Sequence, residues 1–191
     1  MILKGTEDLR VQKTIEAIKN TFEELICEKD YEKITVKELC DRARINKKTF
    51  YTYYPALDDL LGELQMEISG AYIEQIKDFR LPEDIDKLTR AFFEYSNAQG
   101  RAYEKITVSG SYNYIRQKMI NNVKKETWSK SAKFNKMDEF FRNILLEHVN
   151  TTTINIYKEW VEKGKKQPLE EVIDLSIKLI CGGVNEFLKN T

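Results

Sequence analysis

Four basic residues, Arg42, Arg44, Lys47 and Lys48, open the run from Arg42 to Leu57, which contains no acid. Thr49, Tyr51, Tyr53 and Tyr54 follow them closely. This mixture suits a polyanion. Lysine and arginine neutralise phosphate, and tyrosine hydroxyls donate to phosphate oxygens while their rings pack on the protein. Lys48 and Thr49, near the start of a helix, reach base edges if that helix enters a major groove. A mildly basic, solvated helix in an ordinary bundle carries similar charge, so the flanking elements must decide between the two.

Those elements have clear signals. Thr35-Val36-Lys37-Glu38 reads as a capping box, in which the Thr35 hydroxyl accepts from the Glu38 amide and the Glu38 carboxylate reaches back to Thr35. The short helix it starts presents Val36, Leu39, Cys40 and Ala43 to a core. The pattern turns at Arg44-Ile45-Asn46, and Asn46 is a good N-cap for a second helix from Lys47 to Tyr54. Ile45 and Phe50 hold that helix down, and Pro55 ends it. Upstream, Thr6-Glu7-Asp8 marks a helix start. Val11, Ile15, Ile18, Phe22, Leu25 and Ile26 then make one helix face running to about Lys29. Cap, joint and short second helix together favour a DNA-reading helix-turn-helix.

The stretch Ile34 to Leu61, ITVKELCDRARINKKTFYTYYPALDDLL, resembles the DNA-binding segment of TetR-family transcriptional regulators. The T-F-Y-x-Y run is the specific part, and the match covers about 50 residues with the first helix included. The resemblance implies that Thr35 and Lys37 sit near phosphates, and that Asn46, Lys47, Lys48, Thr49, Tyr51 and Tyr53 face DNA. Phe50 is core. The basic run adds Arg44, and hydroxyl chemistry adds Tyr54. Three positions depart from the family. Arg44 and Lys48 stand where glycine is frequent, and Leu57 stands where a phosphate-binding lysine is common and cannot replace it. A side chain at Arg44 is strained if its φ is positive.

Lys+Arg and Asp+Glu are both 31, so overall charge gives nucleic-acid binding no support; residues 1–56 carry a net +1. The positive charge is local. With three prolines and eight glycines the chain has few breakers, and long helices are the expectation. A helix from about Leu57 to Phe79 is long enough to join two domains. Further helices are expected from Ile85 to near Gly100, around Ala102 to Thr107, from Tyr112 to about Ser129, from Met137 to Lys163 and from Leu169 to Lys189. No strand-like alternation and no repeat occurs. The fold class is all-α. An N-terminal three-helix helix-turn-helix domain, 1–56, is joined by a long helix to a helical effector-binding and dimerisation domain, 57–191.

A reader of this size works as a homodimer on a palindromic operator of double-stranded DNA. The last two helices, the most apolar pair, are the expected interface, with Trp160, Ile180, Gly183 and Phe187 on it. The family resemblance implies a small-molecule effector pocket in the aromatic middle region, at Phe92, Tyr95, Tyr103, Tyr112 and Trp128. The expected function is a repressor released by that effector. The alternative is a TetR-like ligand sensor or co-regulator acting through protein contact. His148, the only histidine, adjoins Glu147 but has no partner at helical metal spacing. No nucleophile–base pair, phosphate loop or metal cluster is legible, so no enzyme, cofactor or metal is expected. Cys27, Cys40 and Cys181 read as buried thiols of a reducing compartment. MILKGTEDLR has no signal-peptide core and no apolar run approaches a membrane span, so the expected location is cytoplasmic.

Overall fold

A computed structural model describes residues 8–189, with side chains described through residue 183. Thr6 and Glu7, expected at the first helix start, lie outside it. The described residues form ten α-helices and no strand. None of these helices is long and apolar enough to cross a membrane. Their contacts divide the chain into two compact units, 1–68 with 101–116, and 69–100 with 117–191. The units therefore do not part at the expected boundary of 56/57.

The first unit begins with α1, Leu9–Glu28, whose N-cap Asp8 accepts from the Arg10 amide at 2.8 Å. Its apolar stripe buries Ile15, Ile18, Phe22, Leu25 and Ile26. α2, Val36–Arg42, starts at Thr35, whose hydroxyl accepts from the Glu38 amide at 3.2 Å. The reciprocal half of the capping box is replaced: the Glu38 carboxylate goes to Lys29 at 2.8 Å and Arg42 at 3.0 Å. Two cations are stronger partners for a carboxylate than one amide. α2 buries Leu39 and Cys40. The chain then passes through Arg44 at φ 54° into α3, Lys47–Tyr53, capped by Asn46. α4, Leu57–Ile76, starts in this unit and ends in the other. Its Glu63, 2% exposed, pairs with Lys19 of α1 at 2.9 Å.

The segment 101–116 belongs here because it is pinned to the link between α1 and α2. After α5, Ile85–Ala98, comes α6, Arg101–Val108, with Lys105 3.3 Å from Asp30. The Tyr31 amide donates to Ser111 Oγ at 2.8 Å, and that hydroxyl donates to Glu32 at 2.6 Å. Arg116, at the start of α7, Asn113–Glu126, donates to the carbonyls of Thr107 at 2.9 Å and Ser109 at 3.2 Å.

The second unit contains α5, the short α8, Ala132–Lys136, then α9, Glu139–Glu162, and α10, Leu169–Lys189. Its core joins Ile76, Ile85, Leu88, Trp128, Phe134, Leu145, Val149 and Ile180. Arg90 of α5 pairs with Glu170 of α10 at 2.8 Å. The sequence reading runs α4 and α7 three residues too far and misses α8. α7 stops where hydroxyls take over the backbone bonding: Thr127 Oγ1 donates to the Val123 carbonyl at 2.6 Å, and Ser131 caps α8. Of the three thiols only Cys40 is buried; Cys27 and Cys181 are half-buried, and all are free.

A non-glycine residue in the left-handed region costs about 1–2 kcal/mol. Arg44→Gly is therefore expected to raise the free energy of urea unfolding by about 0.5–1 kcal/mol after glycine's own entropy is subtracted. Arg44→Val is expected to lower it, because a β-branched side chain tolerates positive φ least.

Candidate nucleic-acid interface

α3 has seven residues, too few to be stable in water without tertiary support. Phe50, fully buried, anchors its middle. Tyr54 at its C-terminal end is also fully buried, with its ring 5.8 Å from that of Phe50. Asn46 fixes its start. The Asn46 side-chain oxygen accepts from the Thr49 amide at 2.8 Å and from the Thr49 hydroxyl at 3.1 Å. With Phe50 turned inward, the opposite side of the helix is left to solvent. Asn46, Lys47, Lys48 and Tyr51 are exposed, and Thr49 and Tyr53 are half-exposed. Thr35, Lys37 and Arg44 are exposed beside them.

Nine of the ten residues expected at the interface are thus accessible to one degree or another, but they do not all have free groups. Asn46 and Thr49 bond each other, so the Asn46 oxygen is a helix cap first. Tyr54 is the correction. Its hydroxyl was expected to meet phosphate, but the residue caps α3 inside the core, and the hydroxyl is buried with no hydrogen-bond partner. Burial, with the Glu67 charge adding to it, pushes that hydroxyl up to about 12. Leu57 is half-buried, in keeping with its failure as a phosphate ligand.

The four basic residues of the opening run separate into two groups. Arg42 bonds Glu28 at 2.7 Å and Glu38 at 3.0 Å, and so joins α1 to α2. The Arg42 hydrogen bond holds Glu28 below the usual carboxylate range, and the bond from Lys29, helped by Arg42, does the same for Glu38. Arg44, Lys47 and Lys48 have no ion pair among the described residues. Charge on the α3 side is therefore uncompensated, and it is where polyanion can approach. Sequence reasoning missed two cations of α1, Arg10 and Lys13. Arg10 lines a cleft with Arg44, Asn46, Lys48 and Thr49, and Lys13 lines an adjoining one. Their three-residue spacing, which puts both on one side of α1, was the available signal.

Residues 21–64 match the profile of the bacterial regulatory proteins of the tetR family. Over that segment the chain is similar to the family. The matched segment contains the helix-turn-helix described above. Solved structures share the fold over most of this chain. A TetR transcriptional regulator from Streptococcus agalactiae aligns with TM-score 0.70 and 20% identity, covering 90% of this chain and 95% of its own. FadR from Bacillus subtilis, solved with stearoyl-CoA, aligns with TM-score 0.64 and 16% identity, covering 86% and 96%. The fatty acid degradation regulator FadR from Bacillus halodurans aligns with TM-score 0.62 and 18% identity, covering 93% and 97%. No curated protein matches the sequence.

The residues expected at the other two sites are placed as follows. Phe92 and Tyr95 both meet Tyr72, with ring centroids 6.5 and 5.2 Å apart, and Tyr72 packs on the core cluster that contains Trp128. Tyr103 and Tyr112 are buried in the other unit. Tyr112 packs on Tyr31 and donates to the Lys29 carbonyl at 3.5 Å, so it serves the head. Of the expected interface, Trp160 and Ile180 are buried inside the protomer. Trp160 Nε1 donates to the Gln167 carbonyl at 2.9 Å and secures the turn into α10. Trp160 lies on α9 and Ile180 on α10, and an apolar side of each helix is consumed inside the protomer. Gly183 is exposed, and the side chain of Phe187 lies outside the described residues.

In mobility-shift titrations on duplexes from the DNA flanking its own gene, Lys48→Ala or Tyr51→Ala is expected to weaken binding by about 1 kcal/mol with the fold unchanged. Tyr54→Phe is expected to bind as wild type and to gain about 1 kcal/mol of stability, because it removes an unpaired buried hydroxyl.

Proposed function

We propose that the protein is a repressor: two copies hold a palindromic operator through paired α3 helices, and a small-molecule effector held by the second unit releases them. The observation that carries the DNA part is the exposed, acid-free side of α3, with Arg44, Lys47 and Lys48 lacking carboxylate partners among the described residues. One such helix spans only a few base pairs, which supports a second head.

A face for the mate is supported by apolar side chains that the protomer leaves uncovered. Phe140, Phe141 and Ile144 of α9 and Leu175 and Leu179 of α10 are all exposed. Leu175, Leu179 and Gly183 fall at steps of four on one side of α10. A Cβ added at Gly183 would sit 3.6 Å from His148 Nε2, one turn beyond Ile144, so the two stripes are neighbours. A contiguous apolar patch of this kind marks an interaction surface. It lies on the same two helices that the sequence points to, but on residues facing away from Trp160 and Ile180.

The aromatic group Tyr72, Phe92, Tyr95 and Tyr157 supports an apolar effector in the second unit. The stearoyl-CoA in the Bacillus subtilis relative makes long acyl thioesters the first class to test. Such a ligand releases DNA only by binding the released conformation better.

Leu179→Asp is expected to give helical monomers in sedimentation velocity, because a buried charge at the interface is uncompensated. An intact dimer would place the mate elsewhere. Stearoyl-CoA at micromolar concentration is expected to dissociate the wild-type protein from its operator. A complex that survives it would reject the acyl class while leaving the repressor standing. A folded dimer that shifts no flanking DNA at low salt would instead favour the ligand sensor acting through protein contact.

A further inference from the structure

Between residues 113 and 136 the chain carries seven basic residues and one acid, Glu126, in a protein with no net charge. The helix-turn-helix makes no use of this run. Lys130 and Lys133 from it meet Arg80 and Lys87, from the link into α5 and its first turn, around one open cleft of the second unit. The cleft has a volume of about 710 Å³. Two acids also line it, and both are occupied. Asp84 accepts from the Arg80 amide at 2.8 Å and from Lys87 at 2.6 Å, and Glu83 lies 3.5 Å from Lys133. Lys130 pairs with Glu126 at 3.1 Å. Lys87, Lys130 and Lys133 are all exposed, and ion pairs in water contribute little, so a dianion can draw these ammoniums to itself. The exposed Arg80 guanidinium has no ion pair among the described residues. Ser131 Oγ accepts from the Phe134 amide at 3.2 Å and keeps its proton to give. The apolar wall of the cleft is Phe79 and Leu81. Leu81 is part of the core of the unit, and Phe79 and Tyr72 pack on that same core. Tyr72 belongs to the aromatic group that supports the apolar effector, so the cationic cleft and the aromatic group adjoin one core.

We propose that this cleft takes the phosphate-bearing head of the effector, with Arg80 and Lys133 as its main contacts and Ser131 as a neutral donor, while the apolar chain goes to the aromatic group. The guanidinium fork matches two phosphate oxygens at once, and the lysines add point charges. The chemistry recognised is a phosphate ester, which a nucleotide-linked acyl thioester and a free nucleotide both present. The inference rests on the effector reading above.

Coenzyme A carries such a head without the chain, and stearate carries the chain without the head, so the two parts can be tested separately. The full-length protein is titrated by calorimetry with stearoyl-CoA, coenzyme A and stearate. Wild type is expected to bind stearoyl-CoA more tightly than stearate, and added salt is expected to weaken only the two head-bearing ligands. Arg80→Ala and Lys133→Ala are each expected to weaken stearoyl-CoA and coenzyme A about tenfold, the size of one lost charge-assisted contact, and to leave stearate unchanged. Arg80→Lys keeps part of the affinity. Lys166→Ala, which removes an exposed charge of the same unit from outside the cleft, is expected to bind all three as wild type does. Arg80 and Lys133 are exposed, so both variants fold; circular dichroism checks this. Stearoyl-CoA bound equally by wild type and both cleft variants would overturn the cleft and leave the acyl class standing. An equal loss for stearate, or in Lys166→Ala, would reduce the effect to packing or net charge and also overturn it. Cleft-dependent binding of coenzyme A with no binding of stearate would support the cleft and reject the acyl chain. Absence of wild-type binding to either head-bearing ligand would overturn both.

Discussion

The burial of Phe50 and Tyr54 is the interaction on which the DNA-reading head depends. A helix of seven residues does not hold itself in water, and nothing on its outward side can hold it without obstructing DNA. Two aromatic rings one turn apart, both fully buried, supply on the order of 2–3 kcal/mol each through apolar burial. The Tyr54 ring contributes this although its hydroxyl is unpaired. The surface chemistry of α3 is available for function because its stability comes from the inward side alone.

Electrostatics in the head follows a similar division. The protein has no net charge, yet one side of the head is cationic. Several acids of the head are paired with its cations. Glu28 and Glu38 take Arg42 and Lys29, Glu63 and Glu67 take Lys19, and Asp30 takes Lys105. Burial, reinforced by the neighbouring Glu67 charge and opposed by Lys19, raises the Glu23 carboxyl in this same α1–α4 contact. Each of these pairs stabilises helix packing, and among the described residues Arg10, Arg44, Lys47 and Lys48 have no ion pair. A polyanion meets local charge, and net charge is a poor guide to it.

Much of this was legible in residue order. Short-range rules located the Thr35 and Asn46 caps, the joint at Arg44, the end of α3 before Pro55 and the bounds of α10. They also flagged Arg44, which does adopt a positive φ. The errors have one physical character. Arg42 counted as a surface cation until its distance to Glu28 was known. Tyr54 counted as a hydroxyl donor, and Trp160 and Ile180 as interface, because sequence gives the amount of apolar surface on a helix but not which side a neighbour covers. Arg10 was missed because the joint and α3 residues it shares a cleft with are more than 30 positions away in the chain.

The sequence by itself determined the helices, their caps and the identity of the reading segment, since these depend on neighbours within about four residues. It also determined that the segment carries more positive charge than acid. Tertiary structure alone decided which cations remain free, which aromatic rings are core, and that residues 101–116 belong with the head. Those outcomes depend on contacts such as Lys105 with Asp30 and Tyr112 with Lys29, between residues some 75 to 83 apart, whose partner choice is set by packing and not by local pattern.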